Sequence, residues 1–302
     1  MKLVRFTSVK GLSLGLWEGN EVIDLTQLDE NIFGSFIDLA ITASKKKVNI
    51  NDLVMEVLEN NSDELNRHSY EELNKPEGAK RLVIPIESPE VWGCGVTYKR
   101  SRAAREYETD VKGIYDLVYE ADRPETFFKG TASRCVGPNE EIGIRGDSTW
   151  SVPEPELTFI LGPEQQIVGF TAGNDVSARD IEGANPLYLP QAKIFAGCCA
   201  LGPSIVTVDE VGTEPKLTIE SEIFRAGESV FKGSINTAQM KRSIEELNSY
   251  LCRYNLVPVG TACLTGTGIV PPDDFSLEAG DIVEITIEKI GTLRNPVKRL
   301  SF

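Results

Sequence analysis

One histidine stands among the 302 residues of this chain, and that count excludes more chemistry than any other. A mechanism built on an imidazole base would have to use His68, which lies in the polar stretch SDELNRHSYEEL. A zinc site of the usual Cys/His kind is hard to build here. No run approaches the roughly 18 apolar residues of a membrane-spanning helix, so none is expected. The first twenty residues lack an apolar block followed by a small-residue cleavage site, so no signal peptide is expected either. The six cysteines form no CxxC pair, and Cys198 and Cys199 are adjacent. They read as reduced thiols in the cytoplasm. Positive charge is also scarce. Lys and Arg number 31 against 46 Asp and Glu, for a net charge of −15. Such a body repels a phosphate backbone, which argues against nucleic acid as a partner. An acidic substrate would need a local cation to reverse the field.

What is present is an ordinary globular composition, 41% hydrophobic and 25% charged. Short apolar runs at KLVRF, LSLGLW and EVIDL read as an antiparallel meander. Residues 35–60 read as helical, with Asp52 as an N-cap before LVMEVLEN. The pattern breaks around Lys75-Pro76-Glu77-Gly78, which sets a boundary between a small N-terminal α+β domain, 1–78, and a second domain, 79–302. The second is dominated by β-branched and aromatic runs punctuated by Gly, Pro and Asp. Two helices interrupt them, over about 99–120 and over 238–254, where Met240, Ile244, Leu247 and Leu251 keep helical register. This describes a β-rich α+β protein.

The chemistry concentrates in a few places. In Pro153-Glu154-Pro155-Glu156-Leu157, residues two apart on a strand point the same way, so Glu154 and Glu156 share a face. Pro155 suits an edge or a strand start. Asp175, in GNDVSARD, ends the next strand, which would fold back as a hairpin partner. Three oxygen ligands without His or Cys suit a hard cation, Mg²⁺, with Mn²⁺ or Ca²⁺ as alternatives. A pair of acids alone is more commonly a solvated face. Lys193 is one of very few charges in the apolar stretch 184–206 and is either snorkelling or part of a site. Thr265-Gly266-Thr267-Gly268 can expose backbone N–H groups to an anion.

Taken in order, GVTY at 95–98, FFKG at 127–130, PEPELTFILG at 153–162, GNDVSARD at 173–180, LPQAKIFAG at 189–197 and LTGTG at 264–268 resemble the fumarylacetoacetate hydrolase superfamily. The resemblance covers about residues 80–298. It implies a mixed β-sandwich or β-roll catalytic domain working as a homo-oligomer. It implies Mg²⁺ on Glu154, Glu156 and Asp175, with Lys193 beside it. It also implies Tyr98, Lys129 and Thr267 on a small-molecule 2-keto acid substrate. Hydrolases of the superfamily resemble GxNYxxHxxE after the first catalytic strand, where the histidine activates water. Ser101 stands at that position here and cannot act as a general base near neutral pH. The superfamily's sugar-acid dehydratase branch keeps the metal set without that histidine, and RPETFFK, RCVG and EGANPLYLP resemble it. That branch implies Glu125 as the acid/base, and loss of water from a 2-keto-3-deoxy pentonate to give 2,5-dioxopentanoate. An acylpyruvate-type hydrolase, a 2-oxo-acid isomerase or decarboxylase, and a sugar-acid binding protein without turnover are the alternatives.

Overall fold

Alternating apolar residues at the start of the chain form the expected meander. Lys2–Ser8, Gly11–Glu18 and Glu21–Asp24 pair in turn, and Arg67–Ser69 closes that end. The computed structural model describes residues 1–9, 11–108 and 113–301. On its other edge Lys2–Ser8 pairs with Cys199–Thr207, setting Lys2 against Val206 and Leu3 against Ile205. The meander thereby joins a twelve-stranded sheet that continues through Ile167–Asp175, Pro155–Leu161, Ala262–Leu264, Val91–Gly95 and Glu125–Gly130.

A second sheet of five strands runs Glu228–Asn236, Thr218–Arg225, Ile282–Ile287, Gly291–Arg299 and Ile142–Ile144. Thr218–Arg225 alternates buried and accessible residues, as a sheet with one covered face requires. Leu157, Phe159 and Leu161 from the large sheet meet Ile219, Ile223, Val283 and Ile285 from the small one in a single core. This is a β-sandwich with its sheets open at the edges. The other face of the large sheet presents Ile160, Leu201, Ile205 and Leu264 to Phe36, Leu39, Leu53 and Val54 of the N-terminal helices. Every residue of Pro155–Leu161 is therefore buried.

Several local expectations are corrected. The helical stretch 35–60 is two helices, Phe36–Lys46 and Ile50–Asn60. Lys47 separates them in the left-handed region at φ 57°, its N–H donating to the carbonyls of Ala43 and Ser44. Asp52 sits in the first turn of the second helix, and Asn49 is its cap. The stretch 99–120 is also two helices, Lys99–Glu108 and Ile114–Glu120. Near the C-terminus the helix is Ile244–Cys252, started by Ser243 accepting from the Glu246 N–H at 3.0 Å. Met240 precedes it in extended backbone. Among the described residues no helix is long and apolar enough to cross a membrane.

The large sheet continues across the division near residue 78, and the core on its outer face draws residues from both sides. Exposing Ile160, Leu201, Ile205 and Leu264 at about 1.5–3 kcal/mol each would cost roughly 6–12 kcal/mol. That is comparable to the whole stability of a typical domain, about 5–15 kcal/mol. A fragment of residues 79–302 is therefore expected not to fold on its own. Cooperative urea unfolding of the fragment at near full-length stability would show an independent domain instead.

Candidate active site and metal centre

Strand register alone brings the three acids together. Glu156 faces Gly173 across the antiparallel pair Pro155–Leu161 and Ile167–Asp175. Asp175 is two residues beyond Gly173 and Glu154 two before Glu156, so all three project from the face opposite the sandwich core. Pro155 opens its strand, where a missing N–H costs little. The ligand oxygens of Glu154, Glu156 and Asp175 lie within 4.8 Å of one another, and all three residues are buried. The Glu154 N–H donates to Asn174 Oδ1 at 3.1 Å, tying the chain before the strand to the residue beside Asp175. The Gly266 N–H donates to Glu156 Oε2 at 2.5 Å. Gly266 has φ 91°, and a side chain there would run into Thr97 Oγ1, so the LTGTG turn needs glycine at this point.

Buried cations answer these charges. Lys193 ends the short helix Leu189–Lys193, and its Nζ lies 2.7 Å from Glu154 Oε1, 3.0 Å from Asp175 Oδ2 and 2.6 Å from Ser177 Oγ. Ser177 in turn donates to Glu154 Oε1 at 2.6 Å. Arg179 bridges two acids, with Nη2 2.9 Å from Glu154 Oε1 and Nη1 2.6 Å from Glu182 Oε2. Lys129 Nζ stands 2.5 Å from Asp175 Oδ1. Burial works against the charge on both lysines, but Asp175, joined by Glu154 at Lys193, outweighs it and leaves both pKa values raised. Glu156 is pushed well up, by burial first and then by the charges of Asp175 and Glu154; Lys193 and the Gly266 N–H oppose this.

The residues fit a hard divalent cation. Their donors are carboxylate oxygens. The Lys193 ammonium between Glu154 and Asp175 shows that the site is built to hold positive charge. The buried acids Glu154, Glu156, Asp175 and Glu182 outnumber the buried cations Lys129, Arg179 and Lys193 by one. A divalent ion reverses that imbalance to a single positive charge, which the carboxylate of a monoanionic substrate would cancel.

Above the acids is a cavity lined by Gly95, Val96, Ser101, Glu125, Phe127, Glu154, Asp175, Glu182, Lys193 and Thr267, among others. Glu125 begins the strand Glu125–Gly130 and pairs with Gly95; a Cβ at Gly95 would overlap the Glu125 carboxylate. The glycine of the GVTY motif thus makes room for the expected acid/base. Val96 beside it has φ 52°, an unusual conformation for a β-branched residue. Ser101 is buried, with its hydroxyl donating to the Tyr98 carbonyl at 2.8 Å. Thr267 Oγ1 donates to the Ile269 carbonyl at 3.2 Å and accepts from the Ile269 N–H at 3.1 Å. Tyr98 and Lys129 are not among the residues lining this cavity. The Tyr98 ring packs near Gly268, and its buried hydroxyl is raised in pKa by burial and by Glu156. His68 lies in the edge strand Arg67–Ser69, 3.9 Å from Asp24 and separated by four strands from the strand that ends in Asp175. Sequence reasoning gave no role to Ser177, Arg179 or Glu182. The first two lie within the GNDVSARD motif, and the i, i+3 spacing of Arg179 and Glu182 on a helix was the available signal.

The fold and this buried acid cluster define a fumarylacetoacetate hydrolase-type protein, and the chain belongs to that family: the fumarylacetoacetate hydrolase C-terminal domain matches residues 91–298. A probable 2-keto-3-deoxyxylonate dehydratase from Haloferax volcanii is 45% identical over 274 residues, 91% of each chain. A 2-dehydro-3-deoxy-D-arabinonate dehydratase from Saccharolobus solfataricus is 52% identical over 223 residues, 72% of this chain and 75% of the relative. Among solved structures, a 2-keto-3-deoxy-D-arabinonate dehydratase complexed with magnesium and 2,5-dioxopentanoate is 42% identical, with a TM-score of 0.83 over the full length of both chains.

The raised Glu156 pKa carries a sign. A carboxyl that the fold keeps protonated stabilises the protein at low pH, and that contribution is lost as pH rises from the ordinary carboxylate range through the raised value. Glu156→Gln mimics the protonated acid. In chelator it is expected to melt above the wild type at neutral pH, with the gap closing toward acid. Mg²⁺ should raise the melting temperature of the wild type and leave the variant unmoved. A gap that widens on acidification would contradict the assignment.

Proposed function

We propose that this protein removes water from a 2-keto-3-deoxy pentonate to give 2,5-dioxopentanoate, with Mg²⁺ as cofactor. The observation that carries the reading is the lining of the cavity above the three acids, which holds Glu125, Lys193 and hydroxyls while the chain's one histidine is at position 68. A water-activating imidazole is absent from the lining, and groups that move protons on a keto acid are present. The names of the relatives and the product in the solved complex support the same substrate class.

Held by Glu154, Glu156 and Asp175, Mg²⁺ supplies Lewis acidity toward the keto acid. The chain's own residues do the rest. Lys193 offsets negative charge that builds at the keto oxygen as a proton leaves C3. Glu125 takes that proton and returns one to the C4 hydroxyl, which departs as water and leaves a double bond between C3 and C4. A second transfer moves a proton from C5 to C3, and tautomerisation of the resulting enol gives the C5 aldehyde. The balance is substrate to product plus one water. Thr267 and the turn around it receive the substrate carboxylate. The six cysteines form no CxxC pair, and such usage suits a reducing compartment such as the cytoplasm.

The test is product identification. With Mg²⁺, a 2-keto-3-deoxy pentonate is expected to yield 2,5-dioxopentanoate, and an acylpyruvate to remain uncleaved. Pyruvate and a free acid from the acylpyruvate at a comparable rate would reverse the reading. Glu125→Gln keeps shape and hydrogen bonding but cannot accept a proton. It is expected to lower kcat by about 10²–10⁴-fold, the usual range for a general acid/base. Substrate binding, followed by calorimetry, should persist. Normal turnover in that variant would move the proton transfers to another group.

A further inference from the structure

Lys129 is fully buried, and the surroundings of its ammonium specify what it can do. An ammonium has three N–H donors and no acceptor. The Lys129 Nζ lies 2.5 Å from Asp175 Oδ1, and it donates to the Val176 carbonyl at 3.0 Å and to the Lys193 carbonyl at 2.5 Å. Two of its N–H donors go to backbone carbonyls and its charge is paired with Asp175 Oδ1, so the ammonium is directed at the protein's own groups, and Lys129 is not among the residues lining the cavity.

The three acceptors are what give the contact meaning. Asp175 belongs to the acid trio, and Val176 follows it where the strand ends. The Lys193 carbonyl lies at the end of a five-residue helix, in the last turn, where carbonyls lack partners within the helix. Lys129 therefore fastens one acid of the trio and the backbone of the lysine that faces two of them. Asp175 is gripped at both oxygens, Oδ1 by Lys129 and Oδ2 by Lys193 at 3.0 Å. Lys129 also shares its strand with Glu125 and Phe127, which line the cavity. One edge strand thus sets the acid/base, a wall of the cavity and the buried tie behind the trio.

We propose that Lys129 is a positioning residue that holds Asp175 and Lys193 in the arrangement that binds the divalent cation, and that it does not contact substrate. The inference rests on the metal-dependent reading given above. Two effects of removing it oppose each other. Deleting a neighbouring cation would by itself tighten binding of a divalent ion. Releasing Asp175 and the Lys193 backbone would loosen it, as losses of residues that orient metal ligands do, typically 10–100-fold. The second effect should win, because Asp175 without Lys129 can turn both oxygens to the ammonium of Lys193.

The experiment compares wild type and Lys129→Met by calorimetric titration with Mg²⁺ alone, followed by steady-state kinetics at saturating Mg²⁺. The expected result is Mg²⁺ affinity about 10–100-fold weaker, kcat reduced over the same range and KM for the keto acid within about threefold of wild type. Equal or tighter Mg²⁺ binding in the variant would overturn the proposal. So would a raised KM with unchanged Mg²⁺ affinity, which marks a substrate contact, or a lowered melting temperature alone, which marks a purely structural tie. Should Lys129→Met fail to fold, Lys129→Arg keeps the charge, but its planar guanidinium cannot meet the same three acceptors. It is expected to show the same losses, and wild-type affinity there would show that charge alone suffices, against the proposal. A wild-type chain that binds no Mg²⁺ would instead sink the functional reading itself.

Discussion

Everything in this site follows from the burial of four carboxylates around one point. Taking a single charge out of water costs several kcal/mol even after relaxation, and like charges at this spacing add to it. The fold meets that cost with Lys129, Arg179 and Lys193, each itself buried and each useful only because an acid is waiting for it. The compensation is incomplete by one charge, and the pressure appears at Glu156, whose carboxyl is held in favour of the proton. A cluster that is one charge short is primed for a cation. The same imbalance resolves how a chain of net charge −15 can receive an anion, since the local field in the cavity need not follow the sign of the whole.

The sheet converts this electrostatic demand into geometry. Glu154, Glu156 and Asp175 arise on neighbouring strands with a fixed antiparallel register, and a slip of one residue would turn Glu156 into the apolar sandwich core. Glycines keep the approach open: Gly173 faces Glu156 without a side chain, Gly95 leaves space for Glu125, and Gly266 brings its N–H to Glu156. The helices near the start of the chain cover the other end of this same face. Their packing on Ile160, Leu201 and Ile205 keeps the strands rigid beneath the acids, so the N-terminal residues bear on the site without contributing a residue to its lining.

Much of this was legible in the sequence, for identifiable reasons. Strand periodicity is two, so PEPEL announced a shared face for its acids, and a hairpin partner ending in Asp175 follows from the turn residues between the strands. Lys193 stood out as a charge in an apolar stretch, where a lysine must find a partner. Harder to read were contacts whose partners are backbone atoms. The Lys129 ammonium is spent on the carbonyls of Val176 and Lys193 as well as on Asp175, and no residue pattern records a carbonyl as a partner. Helix limits also escaped, because Lys47 breaks the 35–60 stretch through a left-handed conformation that lysine's propensity does not advertise.

Ser101 shows how a single position can redirect a shared apparatus. Its hydroxyl is turned back on the Tyr98 carbonyl at the start of its own helix, a local bond that serines at such positions readily make. A histidine there would present a base to the cavity, and water next to a polarised keto acid would become a nucleophile. With serine folded onto the backbone, Glu125, whose strand pairs with Gly95, is the carboxylate that lines the cavity there. A carboxylate suits transfers between carbon and oxygen within one molecule, because it can take a proton and give it back without a second reactant. On the proposed reading the acid trio and Lys193 are indifferent to that choice, since they would stabilise charge at the keto end whichever bond breaks. On the proposed reading the choice of reaction belongs to the wall carrying Ser101 and Glu125, and the floor of buried charges serves either outcome.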